Sequence, residues 1–454
     1  MRIERTSAGF LEGPIFAPMV CFAIPIFFSL VFQQLYNTVD TYIVGHILGE
    51  EALAAIGAAS PVYDLLVGFA LGFGSGLSIV TARYFGHGDQ NMLKKSVAAA
   101  LVTGGAVVLV VTALAEIVLM PLMMLLHTPE EILGEAYRYA AAITRFTAVM
   151  FAYNLCAGIL RAVGNSLMPL VFLVFSSLAN ILLDYVFVGV LGRGVGGAAE
   201  ATVIAQGLAV LLCLVYVAGR VPMLIPKREH FRPSARLYRE MAGQGMSMGL
   251  MSCFVSAGSV ILQSGINGLG YLTIAAHTAA RRLYQFFNMP FTAMMQTIGT
   301  FVSQNFGAEQ PVRVRRAVRY AYLYSACMTL VISTVVWGFA PELLRIVSGS
   351  REAEVLTCGT RYLRVVAPCY VLLAVLNITR TSLQAIGNKL LPVAASVMEL
   401  IGKILFTAYF VPRLQYTAVI ICEPVIWCFM TAELLAAFWL NPFVKSGREK
   451  RAAL

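Results

Sequence analysis

Charge is scarce in this chain. Of 454 residues, 12% are charged and 59% are hydrophobic, and the mean hydropathy is +0.78. Soluble globular domains carry roughly 25% charged residues, so half the charge that a water-facing surface needs is missing. No polar stretch exceeds about 20 residues, against a usual minimum of about 50 for a domain, which excludes an appended soluble domain. A GxxxxGK[ST] loop is also lacking, so ATP does not drive this protein directly. There is no HExxH, and His46, His87, His127, His230 and His277 are scattered. The nine cysteines form no CxxC pair and read as small apolar packing residues. No nucleophile–base or metal-ligand pattern stands out, so the chain does not read as an enzyme, and no cofactor is expected.

What the chain has instead is apolar runs long enough to cross a bilayer. A span needs about 20 apolar residues, and twelve runs meet that need. Their cores are Phe16–Ile43, Leu53–Tyr84, Ser96–Leu126, Ala136–Leu160, Leu167–Leu191, Gly197–Ala218, Met241–Gly268, Leu272–Gln304, Val314–Phe339, Val355–Ile386, Leu390–Val411 and Ala418–Leu440. The fold expected is an all-α integral membrane protein of twelve helices. The first run is too long for a removable signal peptide and lacks a small-residue cleavage site. Pro25, Pro61, Pro290 and Pro368 are the expected kink points.

The net charge of +10 could suggest nucleic acid, but the basic residues sit in alternate loops and not in one patch. Arg2 and Arg5 precede the first run; Arg83, Lys94 and Lys95 flank the second loop. Arg161, then Arg220 to Arg239, then Arg313 to Arg319, then Lys389, then Lys445 to Arg451 continue the alternation. The loops between are acidic or balanced, with Glu50, Glu51, Glu130, Glu131 and Glu135. Basic residues mark the cytoplasmic side, so both termini are expected there.

The chain also repeats itself. Leu160-Arg-Ala-Val-Gly-Asn-Ser-Leu-Met-Pro169 matches Leu383-Gln-Ala-Ile-Gly-Asn-Lys-Leu-Leu-Pro392. The same displacement pairs Arg138-Tyr139 with Arg361-Tyr362 and Asn154 with Asn377, and a slightly different one pairs Phe85-Gly86 with Phe306-Gly307. Two halves of six helices follow: residues 1–220, a cytoplasmic linker over 221–240, and residues 241–454. An even number of helices per half makes the repeats parallel, related by a pseudo-two-fold along the membrane normal, with a central cleft that alternates its access. That is a transporter layout.

One constellation carries chemistry. Asp40 lies nine residues before Gly49, Asp184 eight before Gly192, and Thr202 five after Gly197. At 1.5 Å per residue the three sit roughly 7–14 Å below the outer surface. Asn180 and Asp184 share a helix face, as do Tyr36 and Asp40. Ionisable groups at this depth are expensive and mark function. An oxygen-only set of two carboxylates, an amide and a hydroxyl suits a hard cation such as Na⁺. Two carboxylates in a low dielectric also hold a proton between them. The residues leave H⁺ and Na⁺ both open. In the repeat, Asp40 falls opposite Ile261, Asn180 opposite Lys403 and Asp184 opposite Thr407. Helix packing alone therefore does not require the acids. In the second half Glu399 and Lys403, four apart, read as an ion pair; Glu423 opens the last helix, and Arg281, Arg282 and Arg380 lie inside apolar runs.

These residues resemble the MATE family, the multidrug and toxic compound extrusion transporters. The likeness covers the whole chain. It rests on Tyr36-Asn37-x-x-Asp40-Thr41, Leu53-Ala-Ala-Ile-Gly57, Tyr84-Phe85-Gly86, Arg161-Ala-Val-Gly-Asn165, Asn180-x-x-x-Asp184 and Ala201-Thr202. Within the family it is most similar to the bacterial DinF- and MepA-like branch. The resemblance implies an antiporter of the bacterial plasma membrane that exports organic cations and amphiphilic drugs against H⁺ or Na⁺. By position Asp40, Asn180, Asp184 and Thr202 match the family's cation site, and Tyr36, Asn37 and Asn154 the drug cavity of the same lobe. The acids that the NorM-like branch carries in its seventh and tenth helices have no counterpart here. The expected partners are small drugs and the lipid bilayer, with no nucleic acid and no ATP, and the chain is read as a monomer. The alternative is a flippase for a lipid-linked saccharide or other lipid. It would need a basic cleft, for which Arg380, Arg145, Arg281 and Arg282 are the candidates.

Overall fold

The computed structural model describes residues 9–125, 130–232, 234–349 and 352–446. Among them every regular element is helical. Helix α1 spans Phe16–Leu48, α2 Glu50–His87 and α3 Gln90–Leu125. The fourth run breaks into α4 (Glu130–Arg145) and α5 (Thr147–Ala162), which bend by 45° around Phe146. Then come α6 (Leu167–Asp184) and α7 (Gly194–Arg220). The second half comprises α8 (Ala235–Asn267), α9 (Tyr271–Gly307), α10 (Pro311–Ser348), α11 (Ala353–Val366), α12 (Tyr370–Ala385), α13 (Leu390–Leu405), the short α14 (Val411–Leu414) and α15 (Tyr416–Leu440). Among the described residues ten segments are long and apolar enough to cross a membrane, and the bent α4–α5 pair makes an eleventh. The run at α9 carries Arg281 and Arg282 and falls outside that measure. Outward faces are strongly apolar: Leu109 is 70% exposed, Ile117 72%, Val215 71% and Leu330 70%. Apolar surface this continuous belongs against lipid, and the chain is an integral membrane protein.

The repeat is visible in the backbone. After α5 the Gly164 amide donates to the Arg161 carbonyl and the Asn165 amide to that of Leu160, at 2.9 and 3.0 Å. After α12 the Gly387 and Asn388 amides donate to Gln384 and Leu383 at 3.0 and 2.9 Å. Both glycines are left-handed, at φ 88° and 93°, the conformation that this helix ending requires. Each asparagine then accepts the amide three residues on, Met168 at 3.1 Å and Leu391 at 3.3 Å, and so starts the next helix. Two further features recur at matching positions. A π-helical turn follows α6 (Tyr185–Val190) and another follows α13 (Phe406–Phe410). The fourth helix of each half is broken, at Phe146 and at the 3-10 turn Ala367–Cys369.

The chain divides into two compact units. One contains residues 24–253, with the first residues of the chain; the other contains 13–23 and 254–454. The boundary differs from the linker expected over 221–240. Two 3-10 turns, Pro222–Leu224 and Arg228–Phe231, occupy its start, and α8 already begins at Ala235. The Leu237 amide donates to the Ser234 carbonyl at 2.9 Å, and Leu237 and Met241 are buried in the first unit's core. Those two apolar anchors, one helical turn apart, draw the end of the polar stretch into the helix. Within this unit α2 and the Ala235–Cys253 part of α8 meet through glycine. A Cβ on Gly72 would stand 2.7 Å from the Met248 carbonyl oxygen, and one on Gly76 2.6 Å from that of Gln244. Gly245 and Gly249 accept Phe73 and Phe69 in return. Lipid supplies no hydrophobic drive for helices to associate, so close approach of this kind does that work. The Arg83 guanidinium locks the same crossing, donating to Glu240 Oε1 at 2.8 Å.

Candidate functional site

Three helices of the first unit, α1, α6 and α7, converge on Asp184. It is fully buried at 0% exposure, and it is the last residue of α6 before the π-helical turn. Its carboxyl neighbours the Asp40 carboxyl on α1. One turn earlier, buried Asn180 donates from Nδ2 to Thr202 Oγ1 on α7 at 3.4 Å. The Thr202 hydroxyl in turn donates to the Ala198 carbonyl at 3.1 Å. Behind this contact Val44, Val188, Val195 and Ala198 form a small apolar cluster that holds the three helices in register. Asp40, Asn180, Asp184 and Thr202 therefore meet in one place.

The electrostatics of that place are one-sided. Asp40 Oδ1, both oxygens of Asp184 and Asn180 Oδ1 are buried and accept no hydrogen bond from any described residue. All four are acceptors. The approach of Asp40 to Asp184 sets acceptor against acceptor and so gains no bond by itself. A buried polar group left unpaired costs about 1–3 kcal/mol, and more when charged. The arrangement therefore suits a positive partner, either a proton between the carboxyls or a hard cation among the oxygens. Among the described residues no three His, Cys, Asp or Glu side chains converge as metal ligands, and oxygen-only donors do not favour a transition metal.

A cavity of about 100 Å³ adjoins this cluster and is bordered by Asn180 and Thr202. Tyr36, Asn37 and Asn154 line it, and Asn154 Nδ2 donates to the Met150 carbonyl at 2.9 Å. Asp40 and Asp184 lie beside the cavity and do not line it. Typical drug pockets run from roughly 300 Å³ upward, so this space has room for only a portion of a ligand of that size. Gln33, Ser177 and Gln206 also line it and were not singled out from the sequence. Ser177 Oγ and Gln206 Oε1 are buried without a partner. The signal for all three was helical spacing: Gln33 is three before Tyr36, Ser177 three before Asn180, and Gln206 four after Thr202.

Comparison with known proteins shows the family. The profile of the MatE family matches residues 25–186 and again 248–409, two copies displaced as Leu160 is from Leu383. The chain belongs to the MATE family. Among its relatives are the probable multidrug resistance protein YoeA of Bacillus subtilis strain 168, 26% identical over 395 residues, covering 86% of this chain and 85% of that protein. Another is the multidrug export protein MepA of Staphylococcus aureus strain MW2, 22% identical over 436 residues, covering 94% and 93%. A crystal structure described as MATE in the bent conformation superposes with TM-score 0.86 at 22% identity, over 98% of this chain and 99% of that one. A MOP superfamily transporter from Pyrococcus furiosus Vc1, described as having a binding pocket of reversed polarity, gives 0.83 at 23% identity over 98% of each.

The second MATE repeat carries a different arrangement. Lys403 Nζ donates to Glu399 Oε1 at 2.9 Å and approaches Glu423 Oε1 at 3.8 Å. Arg281 donates to Glu423 Oε2 at 2.9 Å, and Arg380 approaches Glu399 Oε2 at 3.8 Å. Cations and carboxylates thus alternate along five side chains. The pair expected from Glu399 and Lys403 is the centre of this longer ladder. Glu423 does not open the last helix but sits inside α15, which starts at Tyr416. Arg145 lies on α4 and pairs with Glu116 at 2.8 Å, while Arg282 is exposed.

Proposed function

We propose that this MATE transporter exports cationic and amphiphilic small molecules in exchange for H⁺ or Na⁺. Asp40, Asp184, Asn180 and Thr202 hold the driving cation, and Tyr36, Asn37 and Asn154 meet the drug in the same unit. The observation that carries this reading is the set of buried acceptors without donors around Asp184. The names of YoeA and MepA support drugs as the substrate class. Loop charge supports a plasma-membrane protein with both termini in the cytoplasm, and one chain holding both repeats supports a monomer. A flippase for a lipid-linked saccharide is disfavoured, because three of its four candidate arginines, Arg145, Arg281 and Arg380, each face a carboxylate, which leaves Arg282 alone to meet a phosphate. The test is uptake of a fluorescent organic cation into inside-out vesicles, with Na⁺ and pH gradients imposed separately. Uptake driven by one gradient and abolished when it is collapsed is the expected result. Uptake indifferent to both gradients overturns the antiport reading.

A further inference from the structure

The two repeats place different chemistry at one position. The displacement that carries Leu160 to Leu383 carries Ser176, Asn180 and Asp184 of the sixth helix to Glu399, Lys403 and Thr407. In the first unit this helix face presents buried acceptors that lack a donor. In the second it presents an ammonium at 2% exposure among acceptors: Glu399 at 2.9 Å, Ser259 Oγ at 3.4 Å and Glu423 at 3.8 Å.

The neighbouring helix has been shaped to receive that ammonium. A Cβ on Gly258 of α8 would lie 2.9 Å from Lys403 Cδ, so the absent side chain is the space in which the lysine stem runs. By the displacement that pairs Phe85 with Phe306, Gly258 stands where the first repeat has Asn37. The same two helices close again one level further on, where a Cβ on Gly265 would meet Thr407 Cγ2 at 2.9 Å. The first helix and the fifth spanning segment of each repeat thus approach each other in both units, through Asp40 and Asp184 in one and through Gly258, Ser259 and Lys403 in the other.

We propose that Lys403 is a tethered cation that permanently fills the second unit's own cation site, an ammonium-selective site formed by Glu399, Glu423 and Ser259. Three observations converge on this. The lysine stands at the repeat position of Asn180, whose buried Oδ1 lacks a donor. Its acceptors are supplied from three different helices, α8, α13 and α15. Its stem runs through the space that a Cβ at position 258 would enter, 2.9 Å from Lys403 Cδ. A covalently attached cation cannot exchange with solution, so this unit has no cation to trade and exchange is confined to the Asp40–Asp184 unit. That last consequence rests on the function proposed above; the nature of the Lys403 site does not.

The test is chemical rescue of purified full-length Lys403→Ala, in wild-type and in Asp40→Asn/Asp184→Asn backgrounds. Propylammonium replaces the removed Cγ-to-Nζ portion of the lysine. A ligand that binds the folded state alone raises the thermal midpoint with its concentration. The expected result is a lowered midpoint in Lys403→Ala, most of which returns with propylammonium and not with 1-propanol or KCl at equal concentration. Rescue should be the same in both backgrounds, and the protein with Lys403 intact should not respond. No recovery, recovery with 1-propanol alike, or an equal response of the intact protein overturns the proposal. If Lys403→Ala cannot be purified, bound ²²Na⁺ and proton uptake decide in the Asp40→Asn/Asp184→Asn protein with Lys403 present. The filled site predicts neither, and saturable uptake assigned to the second unit overturns it. Should wild type show no cation exchange at all, the antiport reading fails while the rescue result still stands or falls alone.

Discussion

Gly88 and Glu309 hold the same left-handed position in the two repeats, at φ 81° and φ 55°. Each lies in the turn between the second and third helices of its half. The Gly88 amide donates to the Phe85 carbonyl at 3.1 Å, and the Glu309 amide to the Phe306 carbonyl at 3.1 Å. The turn is thus dictated by the fold and not by the residue, since one repeat forms it with glycine and the other without.

The conformation costs a residue with a Cβ about 1–2 kcal/mol. Replacing it by glycine adds back chain entropy in the unfolded state, which offsets about 0.4–1 kcal/mol. Glu309→Gly should therefore raise stability in detergent by about 0.5–1 kcal/mol. Gly88→Glu should lower it by a comparable amount. Thermal midpoints of the two variants, read side by side, check this; a fall in both would show that the Glu309 side chain contributes more than its backbone costs.

The glycine crossing of α2 with α8 gives a second expectation. A side chain at position 76 would meet the Gln244 and Gly245 backbone, at 2.6 to 2.8 Å from its Cβ alone. Backbone cannot rotate away as a side-chain tip can. Gly76→Leu should separate the helices and strain the Arg83–Glu240 pair behind them, at a cost of about 1–3 kcal/mol, the range for overpacking. Gly105→Leu is the control, because a Cβ there meets nothing within 4 Å. Equal thermal midpoints for the two leucine variants would show that the crossing is not tight.

Much of this was legible in the sequence, and the reasons differ by feature. The spans could be read because lipid demands long apolar runs. The repeat could be read because Gly164-Asn165 and Gly387-Asn388 serve one turn whose chemistry permits few residues. Asp40 and Asp184 could be read because a carboxylate in hydrocarbon is conspicuous. The π-helical turns after Asp184 and Leu405 were not legible, since one extra residue in a turn leaves no mark on an all-apolar run. The break at Phe146 carries no proline, unlike its counterpart at Pro368. Ser177 and Gln206 passed unnoticed because neutral polar groups are common in membrane helices. The ladder from Arg281 to Arg380 joins residues of different helices, which local spacing cannot reveal beyond the Glu399–Lys403 turn.

Removing either carboxylate tests the site directly. Asp40→Asn and Asp184→Asn keep the shape and remove the charge, and each adds a donor among acceptors that have none. Efflux should fall to background in both, while the thermal midpoint should hold or rise, because the new amide can satisfy a buried oxygen worth about 1 kcal/mol. Drug accumulation in cells expressing each variant, normalised to protein in the membrane, is the measurement. Full efflux by either variant would remove that carboxylate from the coupling step.

Exchange requires that the driving cation and the drug favour different states, since a ligand that binds both states equally shifts nothing. Asn180 borders the cavity that Tyr36, Asn37 and Asn154 line, and the unpaired acceptors of Asp40 and Asp184 lie just beside it. A cation entering there neutralises the negative charge that a cationic drug would seek. The two ligands should therefore bind with negative coupling, and the coupling must be reciprocal: whatever factor the ion takes from the drug's affinity, the drug takes from the ion's. The sign with pH follows from charge alone. Acid protonates the carboxyl pair, so a cationic drug should bind more weakly as pH falls. The measurement is drug affinity of the purified protein from pH 5 to 9, with and without Na⁺. Weakening in acid that Na⁺ does not affect assigns the proton as driver; weakening by Na⁺ at fixed pH assigns sodium. Asp184→Asn should flatten whichever dependence appears. Affinity unmoved by either ion, in protein shown to transport, would separate drug binding from the first unit's carboxylates and sink the displacement mechanism.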